Sequence, residues 1–289
     1  MTRPPSAFVH LNGHLVPAAR ARVSALDRGL LYGDGLFETL RIYRGAMFAL
    51  DDHLARLRTS AAVLKIRMPR RAWRRDIAQL LTRNRLADTD AAVRITITRG
   101  TGALGLVPHA VRQPTVIITA ASIAPSVARQ QRQGIRAVIL PFVRQGLFAE
   151  LKTLDYLPAV MGKMYAKQHG ASEGLFVDAR GRITEGTTSN LFVWRRGRLI
   201  TPPPVGVLPG ITRRLLIATA RGAGIRVTER PLPRRDLFEA DEAFVTSSLV
   251  EIVPVTHVDQ TTIGNGRVGA QTRQLQALYR QLVDRTPSN

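Results

Sequence analysis

LKTLDYL (residues 151–157) and ITEGTTSNLF (residues 183–192) are the stretches on which the reading of this chain turns. Lysine is scarce: only Lys65, Lys152, Lys163 and Lys167 occur, so lysine-dependent chemistry has four candidates. Lys163 and Lys167 stand one helical turn apart, the ordinary spacing of a solvated face, and Lys65 lies at a helix end before Pro69. Lys152 differs, because Leu151, Leu154 and Leu157 surround it and set its amine partly among apolar groups. Burial disfavours the charged form of a lysine, and the neutral amine is the form that condenses to a Schiff base.

In the second stretch Glu185 ends a short strand and runs into Gly186 and small hydroxyl residues. Such a carboxylate can keep a pyridine nitrogen protonated, which makes the ring an electron sink. Three segments suit a phosphate. PGITRR (209–214) puts the amides of Ile211 and Thr212 at a helix start, TSS (246–248) offers hydroxyls at a strand end, and HLAR (53–56) sets His53 and Arg56 on one helix face, arginine being a bidentate phosphate donor. Each has a bland counterpart: a leucine-flanked lysine, a Glu in a turn, a surface arginine. Their co-occurrence gives the chemical reading its weight.

Working outward, 289 residues suit two domains better than one core, and a 45% hydrophobic content fills them. The N-terminal part reads as hairpins around Asn12-Gly13 and Arg44-Gly45, helices over 51–65 (capped by Asp51 or Asp52) and 70–86, and strands over 92–99 and 115–121. The polar segment 122–134, with Pro125 and Gly134, reads as a linker between a domain of 1–121 and one of 135–289. In the latter a strand at 135–140, a helix over 154–169, strands GLFVD, RITE and NLFVW, a helix over 211–222, strands IRVTER, AFVTSS and EIVPVTHV, and a helix over 269–284 follow.

No cysteine is present, which excludes disulfides and thiolate sites, and the six scattered histidines offer no close pair, so no metal is expected. No apolar run reaches membrane-spanning length, and MTRPPSAF lacks the apolar segment of a signal peptide, so a soluble cytoplasmic protein without a membrane partner is expected. The net charge of +21 draws attention to polyanions, but 38 of the 42 basic residues are arginines spread along the chain and aromatics are only 6%. The excess reads mainly as a coding or thermal-adaptation bias, with a nucleic-acid partner, in a basic module without catalysis, as the minor alternative.

Taken together, DRGLLYGDGLFETLR (27–41), HLARL (53–57), RITITRG (94–100), LKTLDYL, ITEGTTSNLF, LPGITRR (208–214) and VTSSLVEIVPV (245–255) resemble, in order and spacing, the fold-type IV pyridoxal-phosphate enzymes: branched-chain and D-amino-acid aminotransferases and 4-amino-4-deoxychorismate lyases. The resemblance covers almost the whole chain. It implies a two-domain α/β (α+β) fold, with a small N-terminal α/β domain and a larger C-terminal β-barrel-like domain with helices that binds the cofactor, the active site lying between them in a homodimer. It implies pyridoxal 5'-phosphate on Lys152, which also moves the substrate proton. Glu185 resembles the pyridinium partner, Arg56, Ile211, Thr212 and Ser248, with Ser247 nearby, the phosphate ligands, and Tyr156 a contact to the phenolic oxygen.

Two reactions stay open. For an aminotransferase acting on amino acids and 2-oxo acids, Arg41 and Arg99 are the natural carboxylate clamps, and Tyr32 resembles a pocket residue of the branched-chain enzymes. EGTTSN is closer to the D-amino-acid enzymes. Thr39 replaces the glycine usual in the branched-chain enzymes and matches the threonine of the lyases, whose hydroxyl helps deliver a proton as pyruvate leaves. The aminotransferase is the favoured expectation and the lyase, releasing pyruvate and 4-aminobenzoate, the alternative.

Overall fold

The computed structural model describes residues 7–285 except 110, 112 and 145; Met1–Ser6, on which part of the signal-peptide expectation rested, lie outside the described residues. Two compact units emerge. The first holds the described residues up to Ile123 together with Leu151–Asp155, and the second holds Ala124–Glu150 and Tyr156–Arg285.

The first unit runs β1 (Phe8–Leu11), β2 (His14–Pro17), α1 (Arg28–Tyr32), β3 (Gly35–Tyr43), β4 (Ala46–Met47), α2 (Leu50–Val63), α3 (Trp73–Arg83), β5 (Ala91–Thr98) and β6 (Val116–Ser122). Its strands form one antiparallel sheet in the order β2-β1-β6-β5-β3-β4. Both expected hairpin turns have left-handed backbone, at Asn12 (φ 50°) and Gly13 (φ 103°) and at Arg44 (φ 47°) and Gly45 (φ 89°), which matches the strand twist. Alternation along β3 sends Leu36, Leu40 and Ile42 to one face, where they pack with Leu54, Leu57 and Ala61 of α2 and Ile77, Leu80 and Leu81 of α3. Neither Asp51 nor Asp52 caps α2: the N-cap is Ala49 in a left-handed conformation (φ 52°), and the two acids fall in the first turn. There their charge still favours the helix through its dipole.

The second unit begins with α4 (Ser126–Gln133), so the segment expected as a linker is largely helical. It continues with β7 (Ile135–Val143), α5 (Leu147–Glu150), α6 (Leu157–Gln168), β8 (Glu173–Val177), β9 (Ile183–Gly186), β10 (Asn190–Arg195), β11 (Arg198–Thr201), α7 (Ile211–Gly222), β12 (Val227–Glu229), α8 (Arg234–Phe238), β13 (Glu242–Ser247), β14 (Glu251–Val258), β15 (Thr261–Thr262) and α9 (Ala270–Asp284). Its mixed sheet follows the order β12-β11-β10-β13-β14-β7-β8-β9, with β15 on β14. The sheet curls: Ile183 of β9, at one edge, bridges Leu232 just beyond β12, at the other. A buried cluster including Ile139, Leu175, Leu191, Val193, Val245 and Val255 fills it. The architecture agrees with the expected two-domain α/β (α+β) fold, a small sheet with helices and a larger curled one. The lysine-bearing segment departs from the expected division, since Leu151–Asp155 groups with the first unit.

The Arg44-Gly45 turn offers a direct check. A Cβ at Gly45 would stand 2.6 Å from the Ala87 carbonyl oxygen, and the residue's φ is positive. Gly45→Ala is therefore expected to cost about 1–3 kcal/mol, read as a lower urea midpoint at unchanged slope; wild-type stability would contradict it.

Candidate active site

Lys152 is half-buried on a segment that runs along the start of β3. Phe37 N–H donates to the Lys152 carbonyl at 2.9 Å and Leu154 N–H to the Gly35 carbonyl at 3.0 Å, with an antiparallel bridge between Leu36 and Thr153. These bonds fix the backbone, and the Nζ lies 4.5 Å from the centre of the Phe37 ring. The amine thus rests on an aromatic face, while of the leucines expected around it Leu151 is buried and Leu157 is exposed. Phe37 points away from the helix-covered face of β3, and alternation puts Thr39 and Arg41 on its side. Arg94 of the neighbouring β5 stacks on the same ring at 3.6 Å. Sequence reading passed over Arg94; its signal was the strand pairing with Thr39.

On the covered face of β3 sits Glu38, with no solvent exposure. Arg56 binds it bidentately, Nε to Oε1 at 2.7 Å and Nη2 to Oε2 at 2.8 Å, and His53 Nδ1 lies 2.7 Å from Oε2. Burial opposes ionisation of Glu38, but the Arg56 charge and the two hydrogen-bonding partners outweigh it and hold the carboxyl down at about 2. Burial pushes the His53 imidazole below its ordinary value.

The expected carboxylate clamps are engaged elsewhere. Arg99 donates to Asp34 through Nε (2.7 Å) and to the Lys65 and Leu64 carbonyls through Nη1 and Nη2 (2.9 and 2.8 Å), which caps the C-terminal end of α2. Arg41 pairs with Asp90 at 2.7 Å and lies over the Tyr43 ring. Tyr32, exposed at the end of α1, accepts from the Gly105 amide at 3.0 Å under the Arg28 guanidinium.

In the second unit Glu185 is buried on β9 and forms an ion pair with Arg144. Its Oε2 accepts from the Leu208 amide at 3.1 Å and from Asn190 Nδ2 at 3.4 Å. Asn190 also donates to the Leu208 carbonyl at 3.0 Å. It thereby ties the acid to the start of α7, where Gly210 is the N-cap and no side chain caps Ile211 and Thr212. Only glycine fits there, because a Cβ would lie 1.9 Å from Asn190 Oδ1. Across the sheet Asn190 pairs with Thr246, next to Ser247 and Ser248. The Thr246 hydroxyl is buried without a hydrogen-bond partner among the described residues. Uncapped amides beside an orphaned hydroxyl fit an anion.

The turn after Glu185 is organised by buried Glu173, which accepts from the Thr187 amide (3.1 Å), the Thr187 hydroxyl and the Ser189 hydroxyl (2.9 Å). Lys163 stands 3.0 Å from it, so this lysine balances a buried acid instead of decorating a solvated face. Tyr156 occupies the N-cap position of α6, half-buried. Glu38, Arg94, Arg144, Glu173 and Asn190 were all absent from the sequence-derived site. Among the described residues no group of three or more His, Asp or Glu could hold a metal ion, and no helix is long and apolar enough to cross a membrane.

The amino-transferase class IV family model matches residues 35–258. The chain belongs to this family. It is 38% identical over 95% of its length to a Methanocaldococcus jannaschii protein provisionally named a branched-chain-amino-acid aminotransferase, covering 96% of that protein. It is 34% identical to the aminodeoxychorismate lyase of Bacillus subtilis, over 96% of this chain and 94% of the relative. The solved branched-chain amino acid aminotransferase of Escherichia coli superposes with a TM-score of 0.91 at 31% identity, covering 96% of this chain and 94% of that one. Class IV aminotransferases depend on pyridoxal phosphate, and the buried acid tied to an uncapped helix start suits such a group.

Glu38 and His53 give this class IV aminotransferase a defined acid response. Below about pH 6.5 the unfolded chain takes up a proton that folded His53 refuses, and below 4.5 one that folded Glu38 refuses until about pH 2. Both drain stability as pH falls, Glu38 by on the order of 3 kcal/mol across its window. Urea midpoints are expected to drop from pH 7 to 3, with the upper part of the fall shallower in His53→Gln; a midpoint that rises on acidification would refute this.

Proposed function

We propose that this class IV aminotransferase moves an amino group between an amino acid, of branched-chain or D-amino-acid type, and a 2-oxo acid, using pyridoxal 5'-phosphate bound to Lys152. The observation that carries this reading is the Glu185–Asn190–α7 arrangement: a buried acid joined through one side chain to a helix start with unshared amides. A phosphorylated pyridine needs both features.

When bound, the cofactor supplies an aldehyde carbon and an electron-withdrawing ring. The protein's own groups do the rest. Lys152 would hold the cofactor through its Nζ and, once the substrate amine has displaced it from that bond, would as a free amine take the substrate proton and return it. Glu185 holds the proton on the ring nitrogen, with Arg144 and the Leu208 amide fixing its carboxylate. The Ile211 and Thr212 amides and Ser248, with Ser247 beside it, would hold the phosphate, and the family resemblance adds Arg56 as a phosphate ligand. Tyr156 would supply a hydroxyl to the cofactor's phenolic oxygen. With Arg99 and Arg41 committed to Asp34 and Asp90, Arg94 takes the role of substrate carboxylate partner, and Tyr32 remains a pocket residue of the first unit.

A second reading, the lyase, draws on Thr39, which shares the outward face of β3 with the ring that carries Lys152. The homodimer is supported by exposed apolar stripes: Leu157, Val160, Met161 and Met164 recur at helical spacing along α6. Patches of this kind mark association surfaces.

Lys152→Ala is expected to lower turnover by about 10²–10⁴-fold or more through loss of the proton carrier alone, and retained turnover would sink the mechanism. Simple L- or D-amino acids should convert the bound cofactor to its amine form in the wild type. Pyruvate and 4-aminobenzoate released from aminodeoxychorismate without an oxo-acid acceptor would select the lyase instead. Met161→Glu combined with Met164→Glu should shift the mass measured by light scattering from two chains to one; an unchanged mass would remove α6 from the interface.

A further inference from the structure

We propose that Glu38 is a positioning residue for cofactor binding: its buried carboxylate locks the Arg56 guanidinium in the one orientation that meets the phosphate. The proposal rests on the reading of Arg56 as a phosphate ligand.

An acid beside an anion-binding arginine looks counterproductive, since its charge opposes the phosphate. The geometry gives it another purpose. Glu38 has no solvent exposure and sits in the middle of β3, paired with Ile95 across the sheet, so it has no freedom to turn away. It grips Arg56 along one edge of the guanidinium plane, through Nε and Nη2. A guanidinium carries five N–H vectors in a rigid plane, and the three outside this grip point away from Glu38. The α2 side chain is therefore held as a fixed fork. His53, one turn earlier on the same helix, secures the second carboxylate oxygen. Because the carboxylate only accepts there, Nδ1 carries the proton, and the low basicity of the ring keeps it neutral, so His53 adds no competing cation. Without Glu38, Arg56 would have to be ordered by the ligand itself, at the expense of affinity.

The charge and positioning accounts differ in sign. If the charge of Glu38 were its main effect, Glu38→Gln would tighten phosphate binding; if position matters, the same change weakens it. Apoenzyme titrated with pyridoxal 5'-phosphate and with pyridoxal, which lacks the phosphate, separates the two, with binding read from visible absorbance. Glu38→Gln is expected to weaken pyridoxal 5'-phosphate about tenfold, a loss of the size expected for one long side chain left unordered, and to leave pyridoxal unchanged. Arg56→Ala should show the same selective loss, and the double variant should lose no more than Arg56→Ala alone. Glu38→Asp keeps the charge but withdraws it by one methylene, and should also weaken pyridoxal 5'-phosphate selectively; it serves as the test if Glu38→Gln does not fold. Equal losses for both ligands, tighter binding, or wild-type affinity in a folded Glu38 variant would overturn the positioning role while Arg56→Ala still reports on the phosphate. Wild-type affinity in Arg56→Ala would instead refute the Arg56 reading, and the proposal with it.

Discussion

A carboxylate shut away from water at the centre of β3 is the constraint around which the first unit is arranged. An isolated buried charge costs several kcal/mol, so Glu38 is tolerable only with cations and donors supplied from a packed neighbour, and α2 supplies both from His53 and Arg56, one turn apart. That fixes the rotation of α2 about its axis. The apolar residues Leu54, Leu57 and Ala61 then meet the sheet as a consequence.

The same device recurs at other buried or half-buried acids, and it gives the arginine surplus an internal use. Asp34 lies between Arg28 and Arg99, Asp76 beside Arg71, Glu185 beside Arg144, Glu173 beside Lys163, and Glu251 beside Arg280. Removing one partner of such a pair costs far more than the pair contributes, because the other is left uncompensated. These contacts therefore specify geometry more than they add stability, and one of them, Glu185 with Arg144, involves a proposed cofactor contact.

Much of this was legible in the sequence wherever the local signal was strong. Both glycine turns, α7 over its full length, and the strand run from GLFVD to NLFVW follow from periodicity and turn chemistry. So does the pairing of His53 with Arg56 on one helix face, although their shared partner lies 15 and 18 residues away on a strand. The helix α1 escaped because it is a single turn with no periodicity; its signal was the cap pair Asp27 and Gly33, the first accepting from the Gly29 amide and the second left-handed at φ 65°. Within the segment 122–134 the helix α4 went unseen because a polar composition cannot separate a loop from an exposed helix, and α4 buries only Val127, while the division between the two units, at Ile123 and Ala124, does fall inside that segment. The bonds of Arg99 to Asp34 and to the end of α2 were hidden for a different reason: spacing reveals that an arginine follows a strand, but not that a helix end lies within its reach.

The two faces of β3 carry two distinct duties, and alternation is what keeps them apart. Glu38 faces the helices and grips Arg56, while Phe37 and Thr39 face the other way, on the side of Lys152 and Arg94. A slip of one residue would exchange these sets, burying threonine under the helices and exposing the acid. The register is pinned at one end by the tight Arg44-Gly45 turn and at the other by the bonds from the Phe37 N–H to the Lys152 carbonyl and from the Leu154 N–H to the Gly35 carbonyl. The proposed phosphate contact through Arg56 thus draws on an inward position, while the outward face carries the ring beside Lys152 and, at Thr39, a position that can vary with the reaction. Relatives with different chemistries, an aminotransferase and a lyase among them, are expected to diverge at Thr39 and Arg94 before they diverge at Glu38.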